Sequence, residues 1–248
     1  MRWEYFTFEE ELWYCWHIAG ARIYVCRNGK TWQGYCSSLK WGSRENYVSG
    51  PENEEPVLPA ALMTDILGKK TAALKPCFPE KPFLISLEKL KLFPGMKTKL
   101  SLKLPPNFCL VSEKGGGVIE RIFDFSPFEL KETWHGSNTM NGILCYSLPL
   151  NSGCDTDIDV HCSMAIINRT KTVLTPEKII LRASELSIYE KDGKLLCDMP
   201  VISAGENDFR MEVKTINDEN AVPVSHFNKL NPNLIRKGKH IIKNITGF

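Results

Sequence analysis

Apolar and polar residues alternate with period two through much of this chain. Lys97, Lys99, Ser101 and Lys103 alternate with Thr98, Leu100, Leu102 and Leu104. Arg22, Tyr24 and Cys26 interleave with Ile23 and Val25, and residues 119–125 repeat the pattern. Successive strand side chains point to opposite faces, so each run has one oily and one wetted side. Between such runs stand Asn28-Gly29, Asn141-Gly142 and Asp192-Gly193, with Pro94-Gly95 as a fourth turn. Asn-Gly and Asp-Gly supply the positive φ that tight hairpins need. The spacing predicts a hairpin of 21–27 with 31–37, then strands near 108–111, 119–125, 158–167, 178–181 and 185–189. The last of these closes on 194–197.

One stretch breaks the period. Leu58, Leu62 and Ile66 recur every four residues, Pro59 stands near the start and Gly68 can terminate. This predicts a short helix over 59–67. Residues 42–57 are polar and acidic, with Gly50, Pro51 and Pro56, and read as a loop or linker. Beyond about 215 the pattern decays into a basic tail that Pro232 and Gly238 keep from forming a long helix. The expected fold class is all-β: antiparallel hairpins in one or two β-sandwich-like units with one short helix. The expected division is an aromatic-rich N-terminal unit (1–111), a C-terminal sandwich (112–214) and a weakly ordered tail (215–248).

The totals, 248 residues with 43% hydrophobic and 24% charged side chains, suit a globule with a full core. Glu4, Glu9, Glu10 and Glu11 interrupt the place where the apolar part of an export signal would lie. The charge-free stretch 12–21 is about half a membrane span. Both point to a cytoplasmic chain without a membrane span. Nine scattered cysteines, an odd number, argue for reduced core thiols rather than a disulfide framework. Asn168-Arg169-Thr170 and Asn244-Ile245-Thr246 match the glycosylation sequon, which has no consequence in that compartment. Five of the six tryptophans precede residue 42. They read as core and cover for a sheet, with a glycan platform as the functional alternative.

Charge is segregated although the net is only +2. Residues 69–103 carry nine lysines against two glutamates. The strand over 97–104 lines three of these lysines on one face, as an exposed side or as a sheet edge that lysine protects from edge-to-edge pairing. With no arginine and few aromatics there, nucleic acid is not the expected partner. A protein partner or self-association through charged faces is.

Candidate chemistry is sparse. The run Gly115-Gly116-Gly117 lacks the lysine–hydroxyl ending of a phosphate loop. His17 and His135 have no nucleophile placed beside them by sequence. Asp155, Asp157, Asp159 and His161 fall at alternate positions, opposite Ile158, Val160 and Cys162. Oxygen and imidazole on one strand face invite a metal site, although Val160 and Ile166 stand where an EF-hand needs glycine and glutamate. Same-face neighbours lie about 6.6–6.8 Å apart, so one ion would need help from other loops. The plain alternative is a solvated face. No catalytic residue and no cofactor is assigned. The expected function is a non-enzymatic cytoplasmic interaction or regulatory module. The alternative is a metal-binding protein or metal-dependent enzyme using the face of Asp155, Asp157, Asp159 and His161.

Several segments resemble an uncharacterised prokaryotic family, the domain of unknown function 432. They are Pro56-Val57-Leu58-Pro59, Lys81-Pro82-Phe83 through Phe93-Pro94-Gly95 to Leu104-Pro105, and Phe123-Asp124-Phe125-Ser126. Trp134-His135-Gly136, residues 141–146, Ala165-Ile166-Ile167-Asn168 with Thr170, and Ile188-Tyr189 continue the likeness, which spans roughly 20–190. The family pattern has Leu-Tyr-Gly at 134–136 and an arginine between the cysteine and tyrosine that are adjacent here as Cys145 and Tyr146. The resemblance implies no established activity and no catalytic residues.

Overall fold

The computed structural model describes residues 3–40, 48–57, 62–65, 69–113, 119–136, 142–150, 158–205 and 209–226. In chain order its strands are β1 (Phe6–Thr7), β2 (Trp13–Ile18), β3 (Ala21–Asn28), β4 (Thr31–Cys36), β5 (Leu39–Lys40), β6 (Val48–Asn53), β7 (Leu62–Asp65), β8 (Thr71–Cys77), β9 (Phe83–Ser86), β10 (Lys97–Leu104) and β11 (Asn107–Glu113). They continue as β12 (Ile119–Phe125), β13 (Phe128–Glu129), β14 (Glu132–His135), β15 (Ile143–Pro149), β16 (Val160–Asn168), β17 (Lys178–Leu181), β18 (Ile188–Lys191), β19 (Lys194–Cys197), β20 (Met199–Ala204), β21 (Phe209–Lys214) and β22 (Val222–Ser225).

The protein is all-β. One sheet runs β6-β2-β3-β4-β7, a second β1-β8-β11-β12, and a third β14-β15-β9-β17. The largest runs β21-β20-β16-β19-β18-β22, with β10 along the other side of β16. Most pairs are antiparallel, but β5 with β13, β9 with β15, and β16 with both β19 and β20 are parallel. Parallel pairs join segments far apart in the chain, which local turn signals do not report.

The alternation places the core. Trp16, Ile18, Ile23, Val25 and Trp32 are buried on one face of the first sheet. They meet Leu74, Phe108, Leu110 and Phe125 of the second in one apolar cluster that reaches from Trp3 to Val224. Phe8 bridges the two, its ring edge-on to Trp32 at 4.8 Å. Gly34 lets the layers touch: a Cβ there would lie 2.9 Å from Phe125 Cζ. Each fully buried Leu or Phe is worth about 1.5–3 kcal/mol. Strand β11 runs across residue 111, and β10 pairs with β16 from Lys97–Ile167 to Leu104–Val160.

The turns follow their chemistry, with one shift. Asp192 and Gly193 both have positive φ between the paired Lys191 and Lys194. At the other hairpin Asn28 pairs with Thr31, so Gly29 and Lys30 form the turn, with φ +59° at Gly29. A positive φ at the first central position is what a type II′ turn requires. Pro94-Gly95 turns as expected, with Met96 N donating to Phe93 O at 2.9 Å. Asn141 lies outside the described residues.

Three segments differ from expectation. The short helix over 59–67 is absent from its described part: Leu62–Asp65 is a strand paired with Thr31–Gly34. A helix of nine residues is marginal alone, whereas the open edge of β4 offers a ready ladder. Residues 58–61 and 66–68 lie outside the described residues. The supposed linker contains β6, paired with β2. As an edge strand β6 tolerates Pro51, whose missing N–H faces no partner. The tail contributes β22, which extends β18, and residues 227–248 lie outside the described residues.

Candidate functional site

Two places in this fold concentrate chemistry. The first is the tip formed by the turn before β10 and the loop after β16. Leu92 and Leu174 exchange backbone hydrogen bonds at 2.8 and 2.9 Å, an antiparallel bridge whose neighbours in the two segments are Phe93 and Val173. Asn168, fully buried, ties the two segments together. Its Nδ2 donates to Leu92 O and Thr172 O, both at 2.8 Å. Its Oδ1 accepts from Thr170 N at 2.9 Å and Thr170 Oγ1 at 2.8 Å. This stapled frame leaves Phe93 60%, Met96 41% and Val173 48% exposed. Segments 88–99 and 169–178, which carry the tip, hold seven lysines and arginines against two glutamates.

The second place is the outer face of the first sheet. Cys15 and His17 share a face of β2, and the register sets Tyr24 and Arg22 of β3 opposite them. The pairing of β2 with β6 shifts between Cys15 and His17. Gly50 fills that bulge with φ +109°, and a Cβ there would stand 2.6 Å from Cys15 O. Such a bulge re-aims side chains. It brings the residue after β6, Glu54, over the same face. Glu54 Oε1 accepts from Tyr24 OH at 2.8 Å and Arg22 Nη1 at 3.1 Å. Glu54 Oε2 lies 3.1 Å from His17 Nε2, which lies 3.8 Å from Cys15 Sγ.

The electrostatics follow from this packing. Burial, reinforced by the Glu54 carboxylate, pushes the Cys15 thiol up to about 12. Burial and the hydrogen bond to Glu54 push Tyr24 up to about 12. The Tyr24 hydroxyl and the Arg22 guanidinium hold Glu54 below the usual carboxylate range. A thiol this reluctant to ionise is a poor nucleophile on its own, since the thiolate is the reactive form.

Of the residues expected to hold a metal, Asp155 and Asp157 lie outside the described residues. Asp159 is buried and His161 half-buried, opposite Lys103 of β10. The solvated-face reading therefore does not hold for Asp159. Strand β16 starts at Val160, so the period-two argument does not reach Ile158 and Asp159. Among the described residues one group of three metal-capable donors converges: Cys15, His17 and Glu54. The sequence signal for it was Cys15-x-His17 on a strand. Glu54 carried none, because β6 was read as linker.

Strand β10 is the edge of its sheet, as its lysines suggested. Trp3, Trp16 and Trp32 are core rather than platform, while Trp41 and residues 115–117 lie outside the described residues. Among the described residues no helix is long and apolar enough to cross a membrane.

A family model described as "Protein of unknown function (DUF432)" matches residues 2–238. No curated protein and no solved structure matches the chain.

Proposed function

The chain belongs to the DUF432 family, and from that premise we propose that it is a non-enzymatic cytoplasmic interaction module whose stapled tip docks an acidic protein segment. One observation carries this reading: Phe93, Met96 and Val173 stand exposed on adjoining turns fixed by a buried asparagine, in segments with seven lysines and arginines against two glutamates. Large apolar side chains rimmed by charge mark contact sites on soluble proteins. The pre-set backbone lowers the ordering cost of binding. The surrounding cations select a partner with carboxylates and speed its approach. The buried polar groups of the tip, Asn168 and the Thr170 hydroxyl, are engaged in holding its own backbone, which favours binding over catalysis. The eight described cysteines are free thiols, which suits a reducing compartment.

The test is capture by the immobilised full chain from its host's lysate at low and high salt, beside a Phe93→Ser/Lys97→Glu/Lys99→Glu variant. A protein held by the wild type, released by salt and not held by the variant supports the reading. Equal capture by the variant, or retention of anionic vesicles with no protein, refutes it.

A further inference from the structure

The polar cluster on the outer face of the first sheet has a chemistry of its own, separate from the tip. We propose that Cys15 Sγ, His17 Nε2 and Glu54 Oε2 form a three-ligand site for a divalent transition-metal cation of the zinc type, with a fourth position open to solvent. Sulfur, imidazole nitrogen and carboxylate oxygen together suit a borderline-soft ion, and three protein ligands leave one position for water or a small ligand.

Geometry supports the assignment. The three donor atoms lie within 4.8 Å of one another, with 3.8 Å from sulfur to nitrogen and 3.1 Å from nitrogen to oxygen. A tetrahedral ion with zinc-like bond lengths needs donors about 3.3–3.6 Å apart. Small side-chain rotations on a fixed sheet close that difference. The two oxygens of Glu54 are also differentiated. Oε1 is occupied by Tyr24 and Arg22, so Oε2 is the one turned toward His17 and Cys15. Ligating carboxylates are commonly held in this way by outer partners. The half-exposed Arg22 guanidinium opposes a cation, but it is paired with Oε1 and faces solvent. On binding, the Cys15 sulfur gives its proton to solvent as the sulfur–metal bond forms.

The experiment is a titration of the reduced, full-length protein with Co2+, followed by Zn2+. One equivalent of Co2+ should produce a thiolate-to-cobalt charge-transfer band and intense visible d–d bands, and Zn2+ should erase both. Cys15→Ser should abolish the charge-transfer band. Glu54→Gln should weaken binding by about tenfold to a hundredfold, and Tyr24→Phe by about tenfold. No charge-transfer band in the wild type overturns the proposal. So does a band that survives Cys15→Ser, or unchanged affinity in Glu54→Gln. If Cys15→Ser does not fold, His17→Gln and Glu54→Gln alter partly exposed side chains and carry the same test. Failure here leaves the tip reading standing, because the two places share no residue.

Discussion

Replacing Asn168 by alanine tests the tip most directly. The side chain makes four hydrogen bonds while fully buried. Not all partners are stranded by its loss. Leu92 O still accepts from Leu174 N at 2.9 Å, and Thr172 O still accepts from Thr170 Oγ1 at 3.0 Å. Thr170 N loses the acceptor that Asn168 Oδ1 provided. An orphaned buried donor costs about 1–3 kcal/mol, and each remaining bond about 1 kcal/mol net. The expected destabilisation of Asn168→Ala is therefore about 4–6 kcal/mol. For a chain of this size that lowers Tm by about 8–24 °C. Asn168→Asp is worse, because a carboxylate would meet two carbonyl oxygens where the amide now donates. Urea unfolding at constant m-value, with the order wild type, Ala, Asp in falling stability, is the assay. An alanine variant within about 0.5 kcal/mol of wild type, or an Asp variant no worse than Ala, refutes the stapling argument.

Gly34→Val should cost about 1–3 kcal/mol by overpacking, since even its Cβ would crowd the Phe125 and Phe123 rings; thermal unfolding reads it, and an unchanged Tm would contradict the layer spacing. Gly50→Ala should cost about as much through backbone strain at φ +109° and contact with Cys15 O. It should weaken Co2+ binding too, and intact cobalt affinity would show that the bulge does not build the cluster. Stability should fall as pH rises above 9. The thiols of Cys15 and Cys36 stand at 9.0 when unperturbed and are pushed up to about 12 in the folded chain, as are Tyr24 and Tyr189 from 10.0. Groups raised on folding favour the native state fully below their unfolded values, and that contribution is lost as pH rises toward 12. A urea midpoint flat from pH 8 to 11 would refute this.

The tip and the cluster were legible to different degrees. The basic alternation of β10 announced an exposed face or an edge strand, and the Pro94-Gly95 turn announced the reversal beside it. The buried role of Asn168 was invisible, because a sequon looks the same exposed or stapled. In the cluster, the Cys15-x-His17 spacing fits one strand face, but no strand is expected over 13–18 from the sequence and His17 reads as having no nucleophile beside it. Their approach to Glu54 depends on a register shift opposite Gly50 and Pro51, residues whose composition says loop.

The chain's own order of residues determined strand faces, turn sites and the all-β class. Those depend on neighbours two to four positions apart, where sterics and solvent act locally. Tertiary structure alone decided that Leu62–Asp65 extends a sheet instead of coiling. It also decided which strands lie parallel, and which side chains from distant segments meet. Each of these turns on pairing an open strand edge with whatever segment closes over it, a competition between remote partners that no short window of sequence contains.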